Sequence, residues 1–298
     1  MRARLAAGAC AGLLLGACTG GGPAPAAGSV RVATSSVRAT SSVQATNSLP
    51  SASAIANPLP TAIGPRSPNP SPTTRPPTFV RQQLRIGTSR HGRPITALHI
   101  GDPRLPAVLV VGCIHGSEAA GVAVTDALAA LPAERLRAIN LWVVGLANPD
   151  GASRGTRVNS GGVDLNRNFP TRWQPIGSRG DLQYSGPAAA SEPETVAMVD
   201  LLRTVRPAVG IWFHQALALV DTSEGPAVAE DALADALSLP QSALTDYPGS
   251  AIGFENSLVP RSAFAVELPA GRLSATAVKA AVGAIVTLRP VPATSAAR

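Results

Sequence analysis

His115 and Glu118 stand three residues apart in the run Gly112-Cys113-Ile114-His115-Gly116-Ser117-Glu118, directly after the apolar residues 108–111. An imidazole and a carboxylate at that spacing, where a strand ends and a helix-like segment begins, can reach one small cation. Zinc takes nitrogen and oxygen ligands in tetrahedral geometry, and a catalytic site keeps one position open for water. Two ligands do not make a site, and a solvated helix start explains the pair equally well. His214 ends the apolar run Gly210-Ile211-Trp212-Phe213. An unpaired imidazole there is costly, so it reads either as a satisfied core histidine or as the third ligand. A set of two histidines and one glutamate with an open water position is the arrangement of hydrolytic zinc, which lowers the pKa of water and polarises a carbonyl. The other two histidines, His91 in a turn and His99 inside a short strand, read as structural. Cys113 reads as a small core residue rather than a fourth ligand.

Hydrolysis also needs a base near the water. Glu267, in Phe264-Ala265-Val266-Glu267-Leu268-Pro269, is an acid at the end of an otherwise apolar strand. Burial there would raise its pKa and suit it to carry a proton from water to a leaving amine; the other reading is a carboxylate paired with an arginine. Arg154, Arg157 and Arg167, with Asn159, Asn166 and Asn168, crowd around Asp164. Guanidinium forks match carboxylates, so this cluster can receive a substrate's terminal carboxylate or stabilise an oxyanion. It can equally be a surface loop knitted by its own Asn and Asp side chains.

The elements that must position these groups read as alternating strands and helices. Residues 84–86 and 95–100 form strands joined across a His91-Gly92 turn; 107–113, 139–146, 207–213 and 263–268 form further strands. The continuous apolarity of 107–113 and 139–146 suits strands covered on both faces. Residues 118–131, 194–205, 227–239 and 274–288 form helices, the second entered through Ser191-Glu192-Pro193-Glu194 with proline and acids in its first turn. This pattern predicts an α/β fold with a largely parallel or mixed sheet. Residues 147–184 form a long loop rich in Gly, Asn, Arg and Pro, and loops of this length inside compact domains are usually functional. Sites in open α/β sheets form beyond the carboxyl ends of strands, where His115, His214 and Glu267 all lie.

The chain begins with an export pattern. Arg2 and Arg4 precede an apolar stretch, residues 5–15, too short to span a bilayer, and Leu15-Gly16-Ala17-Cys18 resembles a bacterial lipobox. Residues 1–17 are therefore expected to be a lipoprotein signal peptide, with Cys18 the lipidated first residue and the protein anchored to the outer face of the cell membrane. Residues 18–78 are Ser/Thr/Ala/Pro-rich without an acidic residue, the composition of an extended, disordered tether. Residues 79–290 form one catalytic domain and 291–298 a flexible tail. Cleavage and acylation leave Cys113 alone in the folded part, so no internal disulfide is expected. Six of the 25 basic residues precede residue 79, leaving 19 against 18 acidic, a net charge of +1. A near-neutral domain without a basic stripe excludes nucleic acid as a partner; the expected partners are a peptide substrate and, through the lipid, the membrane, with the chain a monomer.

Further motifs resemble the zinc carboxypeptidase family. These are Gly87-x-Ser89-x-x-Gly92-Arg93-Pro94-Ile95, the His115-to-Glu118 pair, Asn148-Pro149-Asp150-Gly151, Arg157-Val158-Asn159, Gly162-Val163-Asp164-Leu165-Asn166-Arg167-Asn168-Phe169-Pro170, His214, Tyr247 and Glu267-Leu268-Pro269. They run in the family's order across nearly the whole folded region and look most like its compact murein-peptide amidase branch, whose members cleave the γ-D-glutamyl–diaminopimelate bond. The resemblance implies an α/β fold with a mixed, largely parallel central sheet and helices on both faces, and one zinc ion held by His115, Glu118 and His214, with Glu267 as general base and acid. It implies that Asp164 orients His115, that Asn166 and Arg167 hold the terminal carboxylate, and that Tyr247 is a mobile phenol closing over the substrate. Arg157 would polarise the scissile carbonyl, with Arg154 a competing candidate. Gln215 stands where the family commonly has serine, and residues 249–254, where side-chain selectivity is usually set, carry no charge apart from nearby Glu255. The expected function is zinc-dependent hydrolysis before a C-terminal residue of cell-wall peptides. The alternatives are a broad carboxypeptidase on ordinary peptides and a lipoprotein that binds wall peptides without catalysis.

Overall fold

The apolar runs of the sequence form the middle of an eight-stranded sheet. In the computed structural model the structure describes residues 79–290. The expected signal peptide, Cys18, the tether and the tail lie outside the described residues. Strands β1 (Val80–Thr88), β2 (Pro94–Gly101), β3 (Ala107–Val111), β4 (Asn140–Val144), β5 (Val209–Gln215), β6 (Leu219–Asp221), β7 (Gln241–Ser242) and β8 (Ala263–Leu268) are ordered β1-β2-β4-β3-β5-β8-β6-β7. The central neighbours β4, β3, β5 and β8 are parallel, whereas β1 and β2 form an antiparallel hairpin on one side and β6 runs antiparallel to β8 on the other. The expected mixed, largely parallel sheet is the observed one.

Helices α1 (Val122–Ala129), α2 (Pro149–Arg154), α3 (Pro193–Val205), α4 (Ala227–Leu237), α5 (Ala251–Leu258) and α6 (Ala275–Thr287) connect the strands. None of the described helices is long and apolar enough to cross a membrane. The two-residue period of a strand sends alternate side chains to opposite faces. Val108 and Val110 of β3, Ile211 and Phe213 of β5, and Phe264 and Val266 of β8 pack with α1, α4 and α6. Leu109, Val111 and Trp212 face the other way and pack with α3 and α5.

The same alternation aims the chemistry. His214 follows Trp212 by two residues and Glu267 follows Ala265 by two, so both point to the α3/α5 side, where they line a cleft. Slipping β8 by one residue would bury the Glu267 carboxylate and expose Val266. Exposing one valine forgoes roughly 1.5–3 kcal/mol, and an unpaired buried charge costs several times more, so the register is strongly held.

The long loop expected over 147–184 is more ordered than its composition suggests. Asn148 caps α2 by accepting the Gly151 amide at 2.8 Å, and residues 165–167 form a short 3-10 turn capped by Asp164. Asn168 Nδ2 donates to Ser185 O, Ala188 O and Ser191 Oγ, and Asn159 Nδ2 donates to Glu192 and Glu194 at 2.8 and 3.1 Å. Asp150, fully buried, accepts from the His91 amide, Ser160, Arg93 and Ser89. Burial pushes the Asp150 carboxyl up, but those four donors outweigh it and hold it at about 2. The motif residues Ser89, Arg93 and Asp150 thus fasten the β1–β2 turn to the loop.

Candidate metal centre and active-site cleft

The turn after β3 carries the first two ligands. The Glu118 amide donates to His115 O at 2.8 Å, which closes a turn, and the helix starts only at Val122. The sequence pattern placed Glu118 at a helix start; three residues separate it from one. Gly116 permits this shape, because a side chain there would run into the backbone of Gly151. The turn therefore sits directly on α2.

His115 Nδ1, Glu118 Oε2 and His214 Nδ1 converge: His115 to Glu118 is 2.9 Å, His214 to Glu118 is 3.0 Å, and the two histidine nitrogens are 3.2 Å apart. Among the described residues they form the one group able to hold a metal ion. Tetrahedral zinc with bonds of about 2.0–2.1 Å sets its ligand atoms about 3.3 Å apart, so the donor set fits one zinc ion. The opposite edge of the His115 ring confirms the fit. Its Nε2–H donates to Asp164 Oδ1 at 3.0 Å, which leaves Nδ1 as a lone-pair donor facing the other two ligands. Burial pushes the Asp164 carboxyl up, yet His115, Arg157 and Arg167 outweigh that and hold it at about 2.

Arg157 has a role that the motif alone does not reveal. Its Nε donates to Asp164 Oδ2 and its Nη1 to Glu118 Oε1, both at 3.0 Å. One guanidinium thus braces a ligand and the carboxylate that orients another. Arg157 lines the cleft, whereas Arg154 is exposed at the end of α2 and does not. Cys113 is buried, and its Sγ donates to His115 O at 3.1 Å. Burial, with Glu118 nearby, pushes its thiol up to about 12, so it stays protonated and serves as a core residue. His99 stacks on Trp142 and pairs with Asn140, and neither it nor His91 lines the cleft.

The cleft has a volume of about 420 Å3 and gathers Arg157, Asn166, Arg167, Tyr247 and Glu267 around the three ligands. Glu267 is half-buried, with the Leu217 amide 3.5 Å from its Oε2. It has no arginine partner among the described residues, so the ion-pair reading of this acid is set aside. Arg167 is 5% exposed; its Nη1 donates to Asn166 O at 2.8 Å and its Nε has no partner. Asn166 Oδ1 accepts the Ala251 amide at 2.8 Å, which leaves its Nδ2 as the donor toward the cleft. Tyr247, 46% exposed, lies at the rim with the Arg167 guanidinium 4.2 Å from its ring centre. Gly249, at positive φ, makes this approach possible, since a side chain there would meet Arg167 O.

Three features were not visible in the sequence pattern. The wall of the cleft comes partly from residues 221–224 and 244–247 and carries Asp221, Glu224 and Asp246. Position alone could have flagged Asp221, because it too ends a strand. Glu255 faces away from the cleft, buried under β5, where it accepts Trp212 Nε1 at 2.8 Å. Burial outweighs that bond and raises its carboxyl to about 8, so it takes no part in side-chain selectivity. Gln215 bridges three segments: its Oε1 accepts the Ala120 amide, and its Nε2 donates to Pro269 O and Gly271 O, each at 2.9 Å.

Comparison with known proteins agrees with this geometry. The family model for zinc carboxypeptidase matches residues 73–220. Murein peptide amidase A of Escherichia coli is 32% identical over 186 residues, covering 55% of this chain and 74% of that one. The homologous amidase of Vibrio campbellii is 37% identical over 125 residues, covering 38% and 49%. The crystal structure of the Escherichia coli murein-tripeptide amidase superposes with a TM-score of 0.59 at 25% identity, over 72% of this chain and 95% of that one. Carboxypeptidase A of Helicoverpa armigera, at 21% identity and a TM-score of 0.58 over 70% and 69%, shares the fold. With its ligand triad complete, this chain belongs to the zinc carboxypeptidase family and is a zinc metallopeptidase.

Proposed function

We propose that this metallopeptidase removes the C-terminal residue of cell-wall peptides, hydrolysing the amide bond that precedes a residue with a free carboxylate. The observation that carries the reading is Arg167, a buried guanidinium with an unpartnered Nε beside the free Nδ2 of Asn166. A buried cation short of partners calls for an anion, and a carboxylate matches the guanidinium fork.

His115, Glu118 and His214 would hold zinc, whose chemistry when bound is to polarise a carbonyl and to lower the pKa of water. Glu267, on the cleft wall and free of ion pairs, takes a proton from the attacking water and returns it to the departing nitrogen. Asp164 holds His115 in the tautomer that presents Nδ1. Arg157 keeps further N–H groups for the scissile carbonyl oxygen after bracing Glu118 and Asp164. Tyr247, at the rim, covers the bound residue and packs on Arg167.

Two observations favour a wall peptide. The amidases to which the chain is similar are named for murein peptides. Asp246 is paired with Arg172, so Asp221 and Glu224 leave the wall net negative, which suits an ammonium on the departing side chain, as diaminopimelate carries. Lipidation at Cys18 would place the enzyme where such peptides are exposed, and Cys18→Ser should release it from the membrane fraction. A broad carboxypeptidase is the second reading, favoured by the apolar wall residues Leu244, Ile252 and Ala265. Incubation with L-Ala-γ-D-Glu-diaminopimelate beside ordinary peptides, read by mass spectrometry, decides between them. Preferential release of diaminopimelate supports the proposal; faster release of apolar residues from ordinary peptides overturns it.

A further inference from the structure

A second, shallower depression adjoins the cleft and shares Gln215 with it. Ser117, Ala119, Ala120, Val122, Leu146, Gly271 and Arg272 complete its lining. Arg272 is the one charged side chain in this lining. It is exposed and has no carboxylate partner among the described residues. Its position is nonetheless held: Gln215 Nε2 ties Pro269 O and Gly271 O to the end of β5, and Gly271 turns the chain at a φ of 84°. The segment that bears Arg272 is thereby fastened to the residue following the His214 ligand.

With the proposed carboxylate clamp setting the direction of the substrate, the depression falls on the acyl side of the reaction. A substrate held by its carboxylate at Asn166 and Arg167 must carry the rest of its chain past the metal ligands, away from Arg167. Ser117 sits between the ligands His115 and Glu118, and Gln215 follows His214, so both depression residues flank the metal centre. The charges on the two sides are opposite. Beyond the carboxylate clamp the wall is acidic, whereas the acyl side presents a single cation.

We infer that Arg272 reads a negative charge on the acyl side, selecting substrates whose residue before the scissile bond carries a free carboxylate. A γ-linked glutamyl residue is such a group, because its chain continues through the side-chain carbonyl and leaves the α-carboxylate unbonded. An α-linked glutamate offers the same charge from its side chain. The inference rests on the proposed carboxylate clamp, which sets the direction of the substrate, and extends it to the residue on the other side of the bond.

The test uses the zinc-loaded full chain and two substrate pairs. One pair is γ-D-glutamyl-diaminopimelate and its α-carboxamide; the other is an N-acetylated dipeptide with α-linked glutamate or glutamine before the same C-terminal residue. Wild type should favour the acid of each pair by about fivefold in kcat/KM, the upper end for an exposed ion pair. The preference should fade at about 1 M salt, where screening reaches only about 3 Å. Arg272→Ala should erase it and Arg272→Glu should invert it, while both variants keep bound zinc. Equal rates on acid and amide by wild type, or a preference that survives in Arg272→Ala, overturns the inference. If neither γ-linked substrate is cut while the α-linked pair is, the cell-wall reading fails, and the glutamate-to-glutamine ratio still decides the role of Arg272.

Discussion

His214 and Glu267 are register partners on the parallel strands β5 and β8. Backbone hydrogen bonding therefore sets the third zinc ligand and the acid of the cleft about 4.8 Å apart at the main chain. Turns and loops supply the other groups, but these two are fixed to one another by the sheet. The separation between ligand and acid is consequently set by the sheet and not by the loops around it.

In the proposed mechanism Glu267 carries the proton, and it makes no hydrogen bond or ion pair with the donor triad. Glu267→Gln and Glu267→Ala should retain stoichiometric zinc by elemental analysis and lose turnover by roughly 10²–10⁴-fold, the range for a positioned acid–base group. Zinc-replete protein with undiminished hydrolysis would remove Glu267 from the mechanism.

Asp164 acts through His115, so its loss should be read first in metal affinity. Asp164→Asn should weaken zinc binding by about 10–100-fold in a chelator competition. Arg157 loses a partner in the same variant, so Arg157→Lys serves as a control that keeps the charge. An affinity unaltered in Asp164→Asn would mean that the Nε2–Asp164 bond at 3.0 Å does not set the ring's tautomer.

Arg167 should govern recognition of the free carboxylate. Arg167→Ala is expected to cost roughly 1.5–3 kcal/mol of transition-state binding, about 10–150-fold in kcat/KM. Wild type should not cleave peptides amidated at the C-terminus. Arg167→Lys should recover only part of the loss, because an ammonium lacks the fork. Equal cleavage of amidated and free peptides would place the carboxylate elsewhere.

Glu255 predicts a pH-dependent stability. Burial raises its carboxyl from the ordinary 4.5 to about 8 in the fold. Between those values the native state holds a proton that the unfolded chain has released, so this group's contribution to stability falls as pH rises through the window. Glu255→Gln keeps an acceptor for Trp212 and cannot ionise. The difference in Tm between Glu255→Gln and wild type should grow in the variant's favour from pH 5 to pH 8; a difference constant across that range would refute the assignment.

The strands that carry the site were readable in the sequence because apolar runs bounded by turns have few other uses. Their polar last residues, His214 and Glu267, stood out against those runs. Helices were less legible. The apolar positions of residues 118–131 suggest a helix from Glu118, but the turn that bends Glu118 back to His115 consumes four residues of it. Helix α5 carries glycine and a buried acid, and its packing against Trp212 and Phe169 outweighs weak local preference.

By itself the sequence determined which chemistries were available: two imidazoles and a carboxylate for a metal, an acid at a strand end, and arginines matched to a carboxylate. Side-chain type and strand period are local properties, so they survive without coordinates. Only the tertiary structure decided which charges meet. It turned Glu255 into the core and Asp221, Glu224 and Asp246 toward the cleft, braced Glu118 and Asp164 with one arginine, and set Arg272 as the lone charge of the depression beside the cleft. Those outcomes depend on chain segments that lie far apart in sequence, and on which of them exclude water from a given charge.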